Sequence, residues 1–320
     1  MKIGIIMDPI TGINTKKDSS LAMLLAAQAR NWEIYYMEMN DLYLIGDEPH
    51  ARMRRLSVMD DIDHWFEFIG ETSGLLAGLD VVLMRKDPPF DLEYIYVTYL
   101  LDHLQQQGKV IVNNPESLRN ANEKLFITHF PQCIPPTLVT RETAKIRSFI
   151  DEHEDIILKP LDSMGGASIF RIRSNDPNLA VIIETLTNNE QRFAMGQKFI
   201  PEITDGDKRI LLIDGEPVPY ALARIPREGE TRGNLAKGGI GKGIELDDRD
   251  KWICDQVGTV LSKMGLIFVG IDVIGKYLTE INVTSPTCIR ELDKIYGIDI
   301  AGQLMDAIEK RVHSERIARP

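Results

Sequence analysis

The stretch Gly270-Ile271-Asp272-Val273-Ile274-Gly275-Lys276-Tyr277-Leu278-Thr279-Glu280-Ile281-Asn282-Val283-Thr284-Ser285-Pro286 decides how this chain is read. Two apolar runs flank a Gly-Lys pair, so it reads as a β-hairpin. Glu280 and Asn282 are two apart on the second strand and project from one face; Asp272 lies on the first strand. All three are hard oxygen donors set among apolar residues, which is the donor chemistry of Mg²⁺ bridging nucleotide phosphates. Parity limits the geometry. A two-residue turn at Gly275-Lys276 pairs Ile274 with Tyr277 and puts Asp272 and Glu280 on opposite faces. A three-residue turn pairs Ile274 with Leu278 and sets Asp272 opposite Glu280. Convergence therefore requires a three-residue turn or a bulge. The wet face of an antiparallel sheet would account for Glu280 and Asn282 alone, but poorly for the whole set.

Upstream, Arg209–Ile213 and Pro217–Arg224 flank Asp214-Gly215, a second hairpin signal. Between Ile225 and Gly243 the chain is nearly free of apolar side chains and rich in glycine and cations, including Arg232, Lys237 and Lys242. Such a length of loop inside a compact domain suits a lid that closes over anions; a surface excursion is the plainer alternative. Further back, Lys159 ends an apolar strand, and Gly165-Gly166 follows in the turn to the next strand. Paired glycines let backbone N–H groups converge on a phosphate beside an ammonium. Taken alone, the same segment is also a hairpin turn with a snorkelling lysine.

The remaining elements sort into three units. Lys2–Met7, Glu33–Met39, Leu79–Met84 and Lys109–Val112 read as buried strands, with helices over Leu21–Arg30 and Leu92–Gln107. This is a parallel α/β sheet covered on both faces. Asn122–Phe130 reads as helical. Thr137–Thr140, Ile156–Lys159, Ser168–Ile172 and Phe193–Ile200, with helices over Glu142–His153 and Leu179–Leu186, make an α+β unit. The last third is antiparallel, with helices over Asp248–Met264 and Ala301–Val312. The expected units are 1–121, 122–200 and 201–320.

The 320 residues are 43% hydrophobic and 27% charged, fitting a globular enzyme rather than a disordered or fibrous chain. A net charge of −11 argues against a nucleic-acid binder. No apolar run reaches the ~20 residues of a membrane span, and Asp8-Pro9 comes too soon for a secretory signal. Cys133, Cys254 and Cys288 lack metal-ligand spacing, so a reduced cytoplasm is expected. Neither G-x-G-x-x-G nor G-x-x-x-x-G-K-[ST] occurs. Lys16 and Lys17 read as solvated charges, and His64, His103, His129 and His153 lack telling partners.

Lys159 with Gly165-Gly166, the glycine-rich loop and Asp272…Glu280-x-Asn282 together resemble the ATP-grasp superfamily. Met7-Asp8-Pro9, Met84-Arg85-Lys86-Asp87-Pro88-Pro89-Phe90, Ile157-Leu158-Lys159-Pro160-Leu161-Asp162, Arg224-Ile225-Pro226 and Glu280 through Arg290 are similar to signatures of the prokaryotic glutathione synthetase family. One departure is Ile240, where the family pattern leads one to expect arginine. The resemblance implies an ATP-grasp architecture: a parallel α/β N-terminal domain, a small central α+β domain, and a C-terminal α+β domain with an antiparallel sheet. It implies ATP between the last two, with Lys124 and Lys159 on the phosphates and Gly165-Gly166 covering them. The hinge segment Lys198-Phe199-Ile200-Pro201 would hold adenine through backbone groups, with Phe199 and Ile200 at its centre, and Asp207 would hold the ribose. The implied reaction joins γ-glutamylcysteine to glycine, in a homotetramer.

On that reading a carboxylate is activated as an acyl phosphate and then attacked by an amine. Mg²⁺, with Mn²⁺ as the alternative, would sit on Asp272, Glu280 and Asn282, with Arg209, Arg224 and Arg232 as further fixed cations. Arg85 ends a strand where sheet folds place ligands, and serves either as a carboxylate clamp or in a structural ion pair. Ser285 and Thr287 would line the acceptor pocket, with Cys288 packed behind. The rivals are another ATP-grasp ligase, such as one adding glutamate to a protein or amino acid, and a non-catalytic nucleotide-binding protein.

Overall fold

The structure, a computed structural model, describes residues 1–162, 166–227, 233 and 239–318. It opens with Lys2–Ile6 (β1), Ser19–Ala29 (α1), Glu33–Met37 (β2), Leu42–Ile45 (β3), Glu48–Val58 (β4), Phe66–Leu75 (β5), Val81–Met84 (β6), Leu92–Gln106 (α2), Val110–Val112 (β7) and Pro115–Asn120 (α3). Buried residues fill β6, β7 and all of β1 after Lys2, as strands covered on both faces must be. β2, β1, β6 and β7 pair in parallel in that order. Caps start the helices where the sequence supplies short acceptors: Asp18 takes the Leu21 N–H and Asp91 that of Tyr94.

Antiparallel strands extend this parallel core. β4 pairs with β2, β3 and β5, making a sheet of seven strands. Of this extension, β5 is illegible in the sequence for a physical reason. Nearly every residue of β5 is exposed, so no alternation marks it.

The second sheet is built from Thr137–Thr140 (β8), Thr143–His153 (α4), Asp155–Pro160 (β9), Phe170–Arg173 (β10), Leu179–Thr187 (α5) and Ala194–Lys198 (β11), in the order β10-β9-β11-β8. Ile146 and Ile150 of α4, with Ile183 and Leu186 of α5, cover Ile156, Leu158 and Ile172 on one face. The third contains Asp207–Ile213 (β12), Glu216–Ile225 (β13), Ile240–Glu245 (β14), Asp248–Lys263 (α6), Phe268–Ile274 (β15) and Tyr277–Asn282 (β16), in the order β14-β13-β12-β15-β16. Ile289–Tyr296 (α7) and Ile300–Ala318 (α8) close the chain. α6 sits on the β12–β13 turn so tightly that a Cβ on Gly258 would meet the Gly215 oxygen at 2.1 Å. Asn113, buried after β7, donates to the Phe268 and Val283 carbonyls and accepts the Phe268 N–H, tying the first sheet to the third.

The segment expected as a helix over Asn122–Phe130 is instead a 3-10 turn at Leu125–His129. Its neighbours hydrogen-bond to the outer edge of β16: Glu123 and Cys133 carbonyls accept the Ile281 and Leu278 N–H groups, each at 2.8 Å. The Glu123 carbonyl thus bonds to that strand, while the Asn122 carbonyl keeps a helical partner in the Phe126 N–H at 2.9 Å. No described helix is long and apolar enough to cross a membrane.

One fold feature predicts a pH effect. Asp293 on α7 accepts the Ile300 N–H at 3.0 Å. Burial pushes its carboxyl up to about 6, that hydrogen bond and Arg290 opposing and Asp299 adding. The fold thus favours the protonated form. The contribution is full below the unfolded value of 3.8 and is lost as pH rises through about 6. Allowing for solvent screening of a half-exposed group, ~1 kcal/mol is at stake. Asp293→Asn should gain about that much over the parent between pH 4.5 and 7.5 in urea unfolding; a pH-independent difference would refute it.

Candidate active site

A cleft of ≈ 340 Å³ opens between the second and third sheets. β9 contributes Lys159; β12 and β13 contribute Asp207, Arg209 and Arg224; β15 and β16 contribute Asp272, Glu280 and Asn282. Lys124, Gly166, Phe199, Ile200, Ser285 and Thr287 complete the set of expected residues on its walls. Arg232 and Gly165, with Lys237, lie outside the described residues.

The hairpin resolves the parity problem by a bulge. Its turn has two residues, Ile274 pairing with Tyr277, but the register shifts so that Val273 faces Leu278 and Asp272 faces Glu280. Thr279 is the extra residue. Its hydroxyl donates to the Asp272 carbonyl at 3.1 Å, and its carbonyl lies 3.5 Å from Lys159 Nζ. Lys124 Nζ and Lys159 Nζ each approach Glu280 Oε1 at 3.9 Å from across the cleft.

Beside this pair lies a buried four-charge cluster. The register sets Arg209 opposite Asp272, and Arg224 opposite Asp207. Arg209 grips Asp272 with Nε and Nη2, and Arg224 Nη2 reaches Asp272 Oδ2 at 2.9 Å while also pairing with Asp207. Burial pushes the Asp272 carboxyl up, but Arg209 and Arg224 outweigh it and hold it at about 2. Burial lifts Asp207 to about 7 against the pull of Arg224, and its Oδ1 is buried with no hydrogen-bond partner. Burial pushes the Lys159 ammonium down, Glu280 opposing; at Lys124, Glu280 and Glu123 outweigh burial and raise it.

The donors suit a small divalent cation. Two carboxylates and an amide oxygen are all hard ligands on adjoining strand positions, and the Glu280 carboxyl is partly exposed to the cleft. Among the described residues no three histidine, cysteine or acidic side chains form a metal cage. A cation here would draw its other ligands from phosphates or water, the habit of Mg²⁺.

The profile described as the prokaryotic glutathione synthetase ATP-grasp domain matches residues 123–297, and that of the same family's N-terminal domain matches 1–119. The chain belongs to the prokaryotic glutathione synthetase family. It is 59% identical over 316 residues to a protein named glutathione synthetase from Pseudomonas syringae pv. tomato, covering 99% of each chain. Against the Escherichia coli O127:H6 protein of that name it is 59% identical over 315 residues, 98% of this chain and 100% of the relative. Solved structures share the fold at low identity. D-cycloserine synthetase DcsG superposes with a TM-score of 0.68 at 12% identity, covering 98% of this chain and all of that one. The ATP-grasp ligase PsnB, complexed with minimal precursor, Mg and ADP, gives 0.64 at 18%, covering 97% and 98%. The three sheets are thus an ATP-grasp fold with the family's N-terminal α/β unit.

Within this family frame, Arg85 is the expected residue that does not reach the cleft wall. It is buried, its Nε donating to Ser20 Oγ at 3.1 Å and its Nη2 to the Pro286 carbonyl at 3.0 Å. It therefore braces the Ser285–Thr287 turn from behind. Ser285 donates to Asp87, while the Thr287 hydroxyl lies 3.8 Å from the Cys288 sulfur. Cys288 is buried, as expected of packing. Ile240, where arginine was expected, is exposed at the start of β14. The sequence reading missed Glu123, which pairs with Lys124 at the cleft wall, and Gln197 and Thr279. An acid beside a lysine immediately ahead of the apolar Leu125-Phe126-Ile127 was the available signal for Glu123.

Proposed function

We propose that this cleft binds ATP and a divalent ion and joins γ-glutamylcysteine to glycine, giving glutathione, ADP and phosphate. The observation that carries the reading is Asp272 set directly opposite Glu280 by the bulge, with Lys124 and Lys159 facing Glu280 across the cleft. The full-length likeness to proteins named glutathione synthetase supports this pair of substrates.

Magnesium, with manganese as the alternative, held by Asp272, Glu280 and Asn282, would neutralise charge on the β- and γ-phosphates. Lys124 and Lys159 bind the phosphates, and the Gly165-Gly166 pair would cover them, Gly166 lying on the cleft wall and Gly165 outside the described residues. Phe199 and Ile200 border adenine, and the orphaned Asp207 Oδ1 accepts a ribose hydroxyl. The cysteinyl carboxylate of γ-glutamylcysteine attacks the γ-phosphorus; one O–P bond forms, the β,γ-bridge breaks, and ADP leaves. The amine of glycine then attacks the acyl carbon and phosphate departs. Negative charge grows on the transferring oxygens and on the tetrahedral oxyanion, where Arg209 and Arg224 on the cleft wall would meet it; Arg232, outside the described residues, is assigned the same role from the sequence. The protein supplies position and charge and no side-chain nucleophile.

Ser285 and Thr287 contact the dipeptide. Arg85 Nη1 and Glu291 Oε2 are buried without hydrogen-bond partners, flanking the 286–291 segment. We place the domain boundaries at 1–121, 122–200 and 201–320, since each span carries one sheet. Buried free cysteines fit a cytoplasmic site. A homotetramer is supported by outward Leu92, Tyr96 and Tyr99 on one face of α2; a monomer in sedimentation would sink that assignment.

The deciding experiment follows ADP release with Mg²⁺ and ATP. Release should require γ-glutamylcysteine and glycine together. No release with that pair, but turnover with another carboxylate and amine, would reassign the enzyme within its superfamily.

A further inference from the structure

Phe199 follows β11 and lines the cleft, whereas Arg171, on β10, does not. The Arg171 guanidinium carbon lies 3.5 Å from the centroid of the Phe199 ring. The same guanidinium is gripped along its edge by Asp155, Nε to Oδ1 at 2.9 Å and Nη2 to Oδ2 at 2.6 Å. Asp155 also accepts the Phe199 N–H on its carbonyl oxygen at 2.9 Å. One residue at the start of β9 thus fixes Phe199 twice, its backbone directly and its ring through a stacked cation. An exposed ion pair contributes little on its own. A bidentate fork that also lies flat on an aromatic face is a different object, since its plane is held by both partners.

We propose that Arg171, clamped by Asp155, is a positioning residue for the purine base of ATP. It holds the Phe199 ring, whose backbone Asp155 already fixes, in the orientation that receives the base, and it draws π density toward its own face, leaving the ring's far face electron-poorer. Arg173 supplies an internal control: it approaches the same Asp155 oxygen at 3.4 Å but has no described ring stack. The proposal rests on the reading that Phe199 borders adenine, and the test separates the two.

The measurement is steady-state kinetics on the whole enzyme with ATP and GTP, for Phe199→Leu, Arg171→Ala, Arg171→Lys, Asp155→Asn and Arg173→Ala. Arg171→Ala should raise the KM for ATP about 3- to 20-fold, the size of a partly desolvated cation–π contact. Its kcat at saturating ATP and the KM values for the other substrates should stay within about twofold. The ATP preference over GTP should narrow. Arg171→Lys should follow alanine, because an ammonium cannot grip and stack at once. Asp155→Asn should match Arg171→Ala, the double variant should be no worse, and Arg173→Ala should behave as the parent. In a Phe199→Leu background, Arg171→Ala should add nothing. If Phe199→Leu leaves the ATP KM unchanged, the adenine reading itself falls. If Phe199→Leu raises it and Arg171→Ala does not, only this proposal falls. Equal loss of kcat and affinity in every variant, Arg173→Ala included, would make the cluster structural and also overturn it.

Discussion

Glu280→Gln is expected to lower the rate of ADP release by ~10²–10³, the cost of deleting one preorganised electrostatic group, while the unfolding midpoint stays close to the parent's. The side chain is 21% exposed and faces the cleft, where two ammonium groups lie 3.9 Å from its Oε1. Glutamine matches its shape, so packing is preserved. The charge is lost where two functions meet. A divalent ion loses one of two anionic ligands, and Lys159, already pushed down by burial, loses the carboxylate that most supports its ammonium. A Mg²⁺ titration at saturating ATP and substrates should show weakened metal dependence as well as reduced turnover. Turnover within about threefold of the parent at saturating Mg²⁺ would remove Glu280 from the site.

Asp272→Asn should act mainly on folding. The parent cluster balances two guanidinium groups, Arg209 and Arg224, against two carboxyl groups, Asp207 and Asp272, all at least largely buried. Removing the charge from Asp272 leaves a buried cation without its nearest partner, a change that costs ~3–5 kcal/mol. An asparagine side chain also cannot accept from both arginines and from the Asn282 amide, which lies 3.3 Å from Asp272 Oδ2. Urea unfolding without nucleotide or metal should show the loss. Adding Arg209→Met should recover part of it, because charge balance returns and an apolar replacement of a buried pair is well tolerated. A loss under about 1 kcal/mol would mean that the cluster is wet. The Asp272 carboxylate contributes above its unfolded value of 3.8 and loses that contribution as pH falls through about 2, so the deficit should shrink only in strong acid.

These two acids share one register position, yet Glu280 responds in turnover alone and Asp272 in stability as well as turnover. Asp272 lies under the arginines with 3% of its surface exposed, while Glu280 stands at the cleft wall. Removing magnesium should therefore abolish activity without reproducing the instability of Asp272→Asn.

Much of this site was legible in residue order. The pairing of Asp272 with Glu280 had to come from a three-residue turn or a bulge, because side chains alternate with period two, and the bulge falls at Thr279. The hairpin through Asp214-Gly215, the four strands of the central unit and the helices α2 and α6 followed from turn chemistry and apolar periodicity, which are local properties. Other features depended on neighbours. Glu123 and Lys124 stand at the cleft because the edge of β16 takes the Glu123 carbonyl, a partner no local pattern announces. The Asp207–Arg224 and Arg209–Asp272 pairs arise from the register of three strands that no local pattern aligns. Arg85 turned to brace Pro286 because burial left it only the partners behind the turn. Periodicity, glycine placement and donor type are carried by each stretch of chain on its own. Partner choice among buried charges is settled only when distant strands meet, since each desolvated charge must then take whatever counter-charge the packing brings within reach.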